Sequence, residues 1–247
     1  MNHTFGRSTF VFIVLCFSLN CQAQNIYSLH WRTDLSITGL SMTTGSLGWG
    51  FGKTVKPFQP AELALLDRND VFPIDRKATY LFSEKAAHTS DVLFYAATIT
   101  PFLLLADPKI RKEGGVVSVL YLETLTLASG LTLMTKNLAK RPRPYNYNPD
   151  APMQLKQQSD ARKSFFSGHT SSTAASCFFA AKVWSDFHPG SKWKPAVWTA
   201  AAVIPAVTGY FRIRAGRHFF TDVAMGYVVG ATVGWIVPYL HQRSRFH

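Results

Sequence analysis

The chain has 247 residues, 47% of them hydrophobic and 14% aromatic, which excludes wholesale disorder and suffices for one sizeable domain or two small ones. Only 16% are charged, against roughly 25% in ordinary soluble domains, and that deficit points toward a membrane. With 26 basic and 14 acidic residues the formal charge is +12, which suits an anionic partner such as nucleic acid, acidic lipid or a phosphorylated substrate.

Residues 1–23 read as a secretory signal peptide. Arg7 precedes an apolar run at 8–19, and the Cys21-Gln22-Ala23 triplet has small residues at the positions that specify cleavage. Cleavage after Ala23 starts the mature chain at Gln24; the competing reading is a lipid-modified Cys21, to which the preceding Asn20 is a poor fit. Only Cys177 then remains of three cysteines, so no intrachain disulfide is available, and its Ala and Phe neighbours make it a core residue.

Residues 24–80 form a polar, irregular N-terminal region rich in Gly and Pro, in which 36–52 is too weakly apolar to count as a span. A helical domain is expected over 81–247. Its apolar runs are 92–106, 116–134, 172–184, 196–210 and 223–240, separated by short charged connections. A span needs about 20 apolar residues. The second and fifth runs meet that length, the first and fourth nearly do, and the third is doubtful. Strand alternation is scarcely visible, so the expected architecture is an all-α helical bundle of about five to six helices, membrane-spanning; a soluble bundle with an unusually apolar core is the competing reading. Glu123, inside the second run, must face the bundle interior or a partner.

Three segments at the ends of these runs concentrate phosphate-binding and acid–base residues. In the first, Lys136 and Arg143-Pro144 follow an apolar helix, where basic residues offset the helix dipole and proline stops the helix. In the second, Ser167, Gly168 and His169 open a helical run, combining capping chemistry with backbone N–H groups open to an anion. In the third, Arg212 precedes His218 and Asp222, which at four residues apart share a helix face, so the carboxylate can hold one imidazole nitrogen and free the other. Each alone is ordinary. Their joint occurrence at the ends of helical runs is not.

These spacings resemble the type 2 phosphatidic acid phosphatase superfamily, which includes bacterial acid phosphatases and vanadium haloperoxidases. Lys136 to Arg143-Pro144 matches its first motif in full, Ser167-Gly168-His169 its second, and Arg212, His218 and Asp222 its third. Phe166 replaces a proline and Phe211 a serine, neither of which must donate a charge or a proton. The resemblance covers roughly residues 92–240 and implies that His218 is the nucleophile, oriented by Asp222, with His169 as acid and then base. Lys136, Arg143, Ser167, Gly168 and Arg212 would cradle the phosphoryl oxygens. No cofactor and no metal is implied, since the motif segments contain Asp222 as their only carboxylate and no cluster able to hold magnesium.

Lys140, Arg141, Arg214 and Arg217 form either a solvated rim or an attractor for anionic lipid or pyrophosphate. The 146–162 connection is either a lid or an irregular loop. If the mature N-terminus is exported and five helices span, the motif segments face the exported side; a sixth span among residues 36–82 inverts that arrangement. The implied activity is metal-independent hydrolysis of lipid phosphate or lipid pyrophosphate in a bacterial inner membrane, with the site facing the periplasm. The alternatives are a secreted phosphatase for soluble phosphomonoesters, a haloperoxidase-like enzyme and a non-catalytic anionic-lipid binder. Nucleic acid is not an expected partner, because export separates the chain from most of it and no binding module is recognisable.

Overall fold

The structure, a computed structural model, describes residues 25–243, so the expected signal peptide lies outside the described residues. Within them the chain is all-α, apart from an isolated bridge between Tyr27 and Gln242. The α-helices are α1 (Trp31–Gly52), α2 (Pro60–Ala64), α3 (Pro73–Arg76), α4 (Glu84–Leu103), α5 (Pro108–Arg111), α6 (Gly114–Ala139), α7 (Met153–Lys156), α8 (Gly168–Phe187), α9 (Lys194–Arg214) and α10 (Phe220–Leu240). Local signals set several boundaries. The Ser83 hydroxyl caps α4 by accepting the Ala86 N–H, proline opens α9, and Lys140 in the left-handed region ends α6.

The six long helices alternate in direction, which gathers the ends of α1, α6 and α9 and the starts of α4, α8 and α10 at one end of the bundle. Four segments are long and apolar enough to cross a membrane: Glu84–Ala106, Gly114–Tyr147, Lys194–Arg214 and Phe220–Leu240. Their outward faces carry exposed Tyr95, Ile99, Phe102, Val203 and Val228, as a lipid-facing surface requires. The third apolar run, doubtful as a span, belongs to α8, which sits at the centre against α4, α6, α9 and α10 and buries most of its length. The main core joins Leu120 and Leu127 of α6, Phe179 and Val183 of α8, and Val233 and Val237 of α10.

Where the surrounding medium is as apolar as the side chains, helices associate through close packing of small residues. Gly226, Gly230 and Gly234 lie one turn apart on α10 and meet the α8 backbone at Ser167, Ser171 and Ala175. A Cβ at Gly230 would stand 2.0 Å from the Ser171 carbonyl oxygen, so only glycine permits this approach.

The N-terminal region is not irregular. Residues 31–52 form α1, a helix about 33 Å long at 1.5 Å per residue, packed in the same direction along α6. Small residues again allow the contact: a Cβ at Gly130 would meet Thr44 Oγ1 at 2.4 Å, one at Gly48 would meet the Met134 nitrogen at 2.6 Å, and Asn137 donates to the Gly48 carbonyl. Polar Ser and Thr lowered the apparent hydrophobicity of this stretch, yet their hydroxyls bond within the helix, as Ser41 does to Ile37 and Thr44 to Leu40. The consequence for topology is direct. Residues 25–30 pair with the end of α10, through Ser28 N–H to the His241 carbonyl, and so lie at the opposite end from the motif segments.

Residues 53–83 and 140–166 fold over the motif end. Phe58, Tyr145, Ala151 and Ala161 bury a small core between them, with Leu63, Leu66, Phe82 and Leu155 packed against it. The 146–162 connection is therefore built structure, containing α7 and two 3-10 turns, and Arg162 pins it to Glu62 at 2.6 Å.

Candidate active site

All three motif segments meet under this cap. The last turn of α6 supplies Lys136, whose ammonium donates to the Lys163 carbonyl at 2.8 Å. The chain then runs extended to Arg143, held in place because Pro144 starts a 3-10 turn and the Arg143 N–H donates to the Ala161 carbonyl. The Arg143 guanidinium, only 4% exposed, donates to the Asp160 and Arg217 carbonyls and to the Asp160 carboxylate at 3.0 Å. One of its nitrogens stands 3.2 Å from His218 Nε2.

Ser167 is the N-cap of α8. Its hydroxyl shares a 2.9 Å hydrogen bond with Thr170 Oγ1, and its N–H donates to the Asp222 carbonyl, which fixes the start of α8 on the start of α10. Gly168 lies over Lys136 and Thr132, where a Cβ would sit 3.6 Å from Lys136 Cε and 3.1 Å from Thr132 Cγ2. His169 packs at a tilt against the Phe94 ring and directs Nε2 to Asp91 Oδ1 at 2.9 Å. The same carboxylate oxygen takes Arg212 at 3.3 Å, and Ser90 Oγ accepts from that guanidinium at 3.2 Å. Arg212 Nε–H is buried without a partner, a donor left over for an anion.

His218 is 1% exposed and lies in the turn ahead of α10. Its Nδ1 faces Asp222 Oδ2 at 3.6 Å, longer than a hydrogen bond, and has no other partner. The shared helix face expected from the spacing is therefore only approximate, because α10 begins at Phe220, after His218. Asp222 instead accepts from the Phe219 N–H at 2.9 Å, from the Ser164 hydroxyl and from Arg141. Burial, reinforced by the positive charge of Lys136, Arg143 and Arg212, holds the His218 imidazole well below its ordinary pKa. The same causes, burial first and then Arg212, Lys136, Arg143 and Arg217, hold His169 at about 3. Both rings are neutral near pH 7.

Sequence reasoning missed the carboxylates that complete this site. Asp91 comes from α4 and Asp160 from the connection before α8, both outside the motifs; Asp91 pairs with His169 and Arg212, and Asp160 with Arg143. Burial opposes the charge of Asp160, but Arg143 and Lys136 outweigh it and keep its carboxyl below the usual carboxylate range. Arg141 is neither rim nor attractor: it bridges Asp222 and the buried Asp75 at 2.8 Å and lies over the Phe219 ring at 4.1 Å. Asp75 in turn accepts from the Thr221 N–H and hydroxyl, tying the cap to the start of α10. Lys140 and Arg214 are exposed, and Arg217 lies 3.5 Å from Glu84. A groove of about 350 Å³ nearby is lined by Ile74, Leu81, Tyr210, Arg214 and Phe220 among others, and none of the expected site residues lines it.

The chain is 36% identical over 84 residues to the lipid A 4'-phosphatase of Porphyromonas gingivalis, a stretch equal to 33% of this chain and 32% of that protein. The match thus spans about a third of the relative's length. No solved structure matches. Residues 117–246, more than half of the chain and holding all three motif segments, match the PAP2 superfamily, and the chain belongs to that family.

Proposed function

We propose that this protein is a metal-independent phosphatase that hydrolyses lipid phosphate or lipid pyrophosphate through a phosphohistidine at His218. The observation that carries the reading is a buried, neutral imidazole whose Nε2 faces Arg143 within reach of Lys136 and Arg212. A transferring phosphoryl group carries dispersed negative charge, and three cations around one nucleophile match it. In the first step Nε2 attacks phosphorus in line, the P–N bond forms and the P–O bond to the leaving group breaks. A proton brought by the substrate monoanion passes to His169 on binding, and His169 delivers it to the leaving oxygen. In the second step His169 takes a proton from water, which attacks phosphorus and releases phosphate as the P–N bond breaks. Arg143 and Arg212 would exchange their carboxylate partners for phosphoryl oxygens, with Ser167 and the start of α8 completing the cradle.

A lipid substrate is supported by the four membrane-capable helices and by the name of the relative from P. gingivalis. The location proposed is a bacterial inner membrane with the site toward the periplasm. With α1 packed along α6, that orientation puts residues 25–30 in the cytoplasm, so it does not go together with export of Gln24 after signal cleavage. Export of Gln24 instead puts the site in the cytoplasm.

The test is phosphate release by detergent-purified protein and its His218→Ala variant, with and without chelator, on lipid monophosphates, lipid pyrophosphates and a soluble phosphomonoester. Release from lipids that persists with chelator and disappears in the variant is the expected result. Retained activity in the variant would reject His218 as nucleophile, and preference for the soluble ester would reject the lipid assignment.

A further inference from the structure

At the end of the bundle away from the phosphate site, three acid–base side chains from three helices converge. Asp34 comes from the first turn of α1, Glu123 from within α6 and His241 from the residue that closes α10. His241 Nε2 lies 2.9 Å from Asp34 Oδ1 and 3.6 Å from Glu123 Oε2, and the three ligand atoms are all within 4.8 Å of one another. His241 is fully buried and Glu123 is 7% exposed. Lys136 lies about 20 Å further along α6, at 1.5 Å per residue, so the cluster takes no part in phosphoryl chemistry.

The hydrogen-bonding pattern leaves the cluster short of positive charge. His241 Nδ1 is 2.8 Å from the Val237 carbonyl oxygen, which can only accept, so Nδ1 carries a proton. In the neutral ring Nε2 then points a lone pair at two carboxylates. Glu123 Oε2 is buried with no hydrogen-bond partner, and among the described residues no Lys or Arg pairs with Asp34 or Glu123. A buried group of this kind in a membrane-capable helix is costly unless compensated. A proton on Nε2 would serve Asp34 but leave Glu123 unbonded at 3.6 Å. A divalent ion serves both.

We propose that Asp34, Glu123 and His241 bind a divalent transition-metal ion of the zinc class. Tetrahedral coordination with bonds of about 2.0–2.2 Å sets ligand atoms about 3.3–3.6 Å apart; the 3.6 Å separation meets that range, the 2.9 Å one would open by a few tenths of an ångström on binding, and all three atoms lie within 4.8 Å of one another. The Nδ1–H bond to a carbonyl is the outer contact that fixes the tautomer and orientation of a metal-bound histidine. An imidazole among oxygens favours zinc or a neighbouring first-row ion over magnesium or calcium. Asp34, a quarter exposed, opens the site to solvent at the bundle end, so an ion can enter. The ion would clamp α1 to α6 and α10 where residues 25–30 pair with the end of α10, which makes it a structural metal remote from catalysis.

The experiment is elemental analysis of the full chain, purified in detergent without chelator or polyhistidine tag, followed by zinc titration, thermal unfolding and cobalt substitution. About one zinc-class ion per chain is expected, together with a zinc-dependent rise in Tm and visible cobalt bands of tetrahedral nitrogen and oxygen coordination. Glu123→Gln and Asp34→Asn preserve shape and should weaken zinc binding by about a hundredfold or more, since loss of outer contacts alone costs 10- to 100-fold. Metal-free protein whose Tm ignores added zinc would overturn the proposal, and this outcome depends on the wild-type chain alone. Undiminished binding in both variants would also overturn it, by placing the ion elsewhere.

Discussion

Arg143 places a guanidinium nitrogen 3.2 Å from His218 Nε2. A guanidinium only donates, so Nε2 holds the lone pair and the proton resides on Nδ1, toward Asp222. This is the tautomer a nucleophilic Nε2 requires, and the 3.6 Å gap to Asp222 can close when positive charge develops on the ring. Asp222→Asn keeps the shape but removes the charge that stabilises the imidazolium. It should lower kcat by about a thousand- to ten-thousandfold, in line with the loss of an orienting carboxylate elsewhere, with little change in KM. Steady-state kinetics on a lipid phosphate checks this, and a fall confined to KM would count against the assigned role.

The depressed imidazoles give the pH dependence a definite sign. With His218 already neutral well below its ordinary pKa, the acid limb of kcat/KM should lie below pH 6.5. His169, at about 3, is a neutral imidazole in the free enzyme at neutral pH, its one ring proton directed at Asp91 and no second proton available for the leaving group. The proton for the leaving group must then arrive with the substrate monoanion or on its binding, so kcat/KM should fall above the second phosphate pKa of about 6. Stability follows the linkage. Between 6.5 and about 3 the unfolded chain binds protons that His169 refuses, so stability is full above 6.5 and is lost as pH falls toward 3. A pH–rate profile with an acid limb centred at 6.5 would contradict the burial of these groups.

In the proposed mechanism Asp160 competes with substrate for Arg143. Its carboxylate is half exposed, so the competition is screened and worth about 1 kcal/mol at most. Asp160→Asn should tighten inhibition by inorganic phosphate or vanadate by about three- to fivefold. An unchanged inhibition constant would mean that the pair does not open during binding.

Much of this arrangement was legible because its charged and acid–base residues stand in motifs at the ends of apolar runs. Lys136, Arg143, Ser167, Arg212 and His218 carry that signature in their spacing, and the apolar runs announce α4, α6, α9 and α10. The rest depends on helix packing, which spacing does not encode. Asp91 reaches Arg212 and His169 from α4, and Asp75 reaches Arg141 from the cap, with no neighbouring motif to mark either. α1 escaped notice as a full-length helix because Gly, Ser and Thr depress hydropathy while permitting the close approach to α6. His241 and Asp34 read as isolated polar residues until the two ends of the described chain meet.

Arg141 is the most exposed member of the network behind His218, yet both its carboxylates are buried, Asp75 at 1% and Asp222 at 0%. Arg141→Ala would leave two buried charges without their shared partner, a loss of about 3–5 kcal/mol where a buried pair is broken. Arg141→Lys cannot bridge both carboxylates in the same plane and should recover only part of it. Denaturant unfolding in detergent measures the loss, and wild-type stability in Arg141→Ala would show that the network relaxes without it.

Sidedness separates the two membrane orientations. Gln157 is exposed in the cap over the site, and Lys112 is exposed at the opposite end, between α5 and α6. In a background with Cys16, Cys21 and Cys177 replaced by alanine, Gln157→Cys and Lys112→Cys each carry one thiol. A membrane-impermeant maleimide applied to spheroplasts should label Gln157→Cys and spare Lys112→Cys when the site faces the periplasm, because the bundle between them is as thick as a bilayer. The reverse pattern would place the site in the cytoplasm and restore export of Gln24 as the consistent reading. Labelling of both thiols in intact spheroplasts would mean that the bundle does not cross the membrane, and the four apolar helices would then have to be reread as the shell of a soluble or surface-bound enzyme.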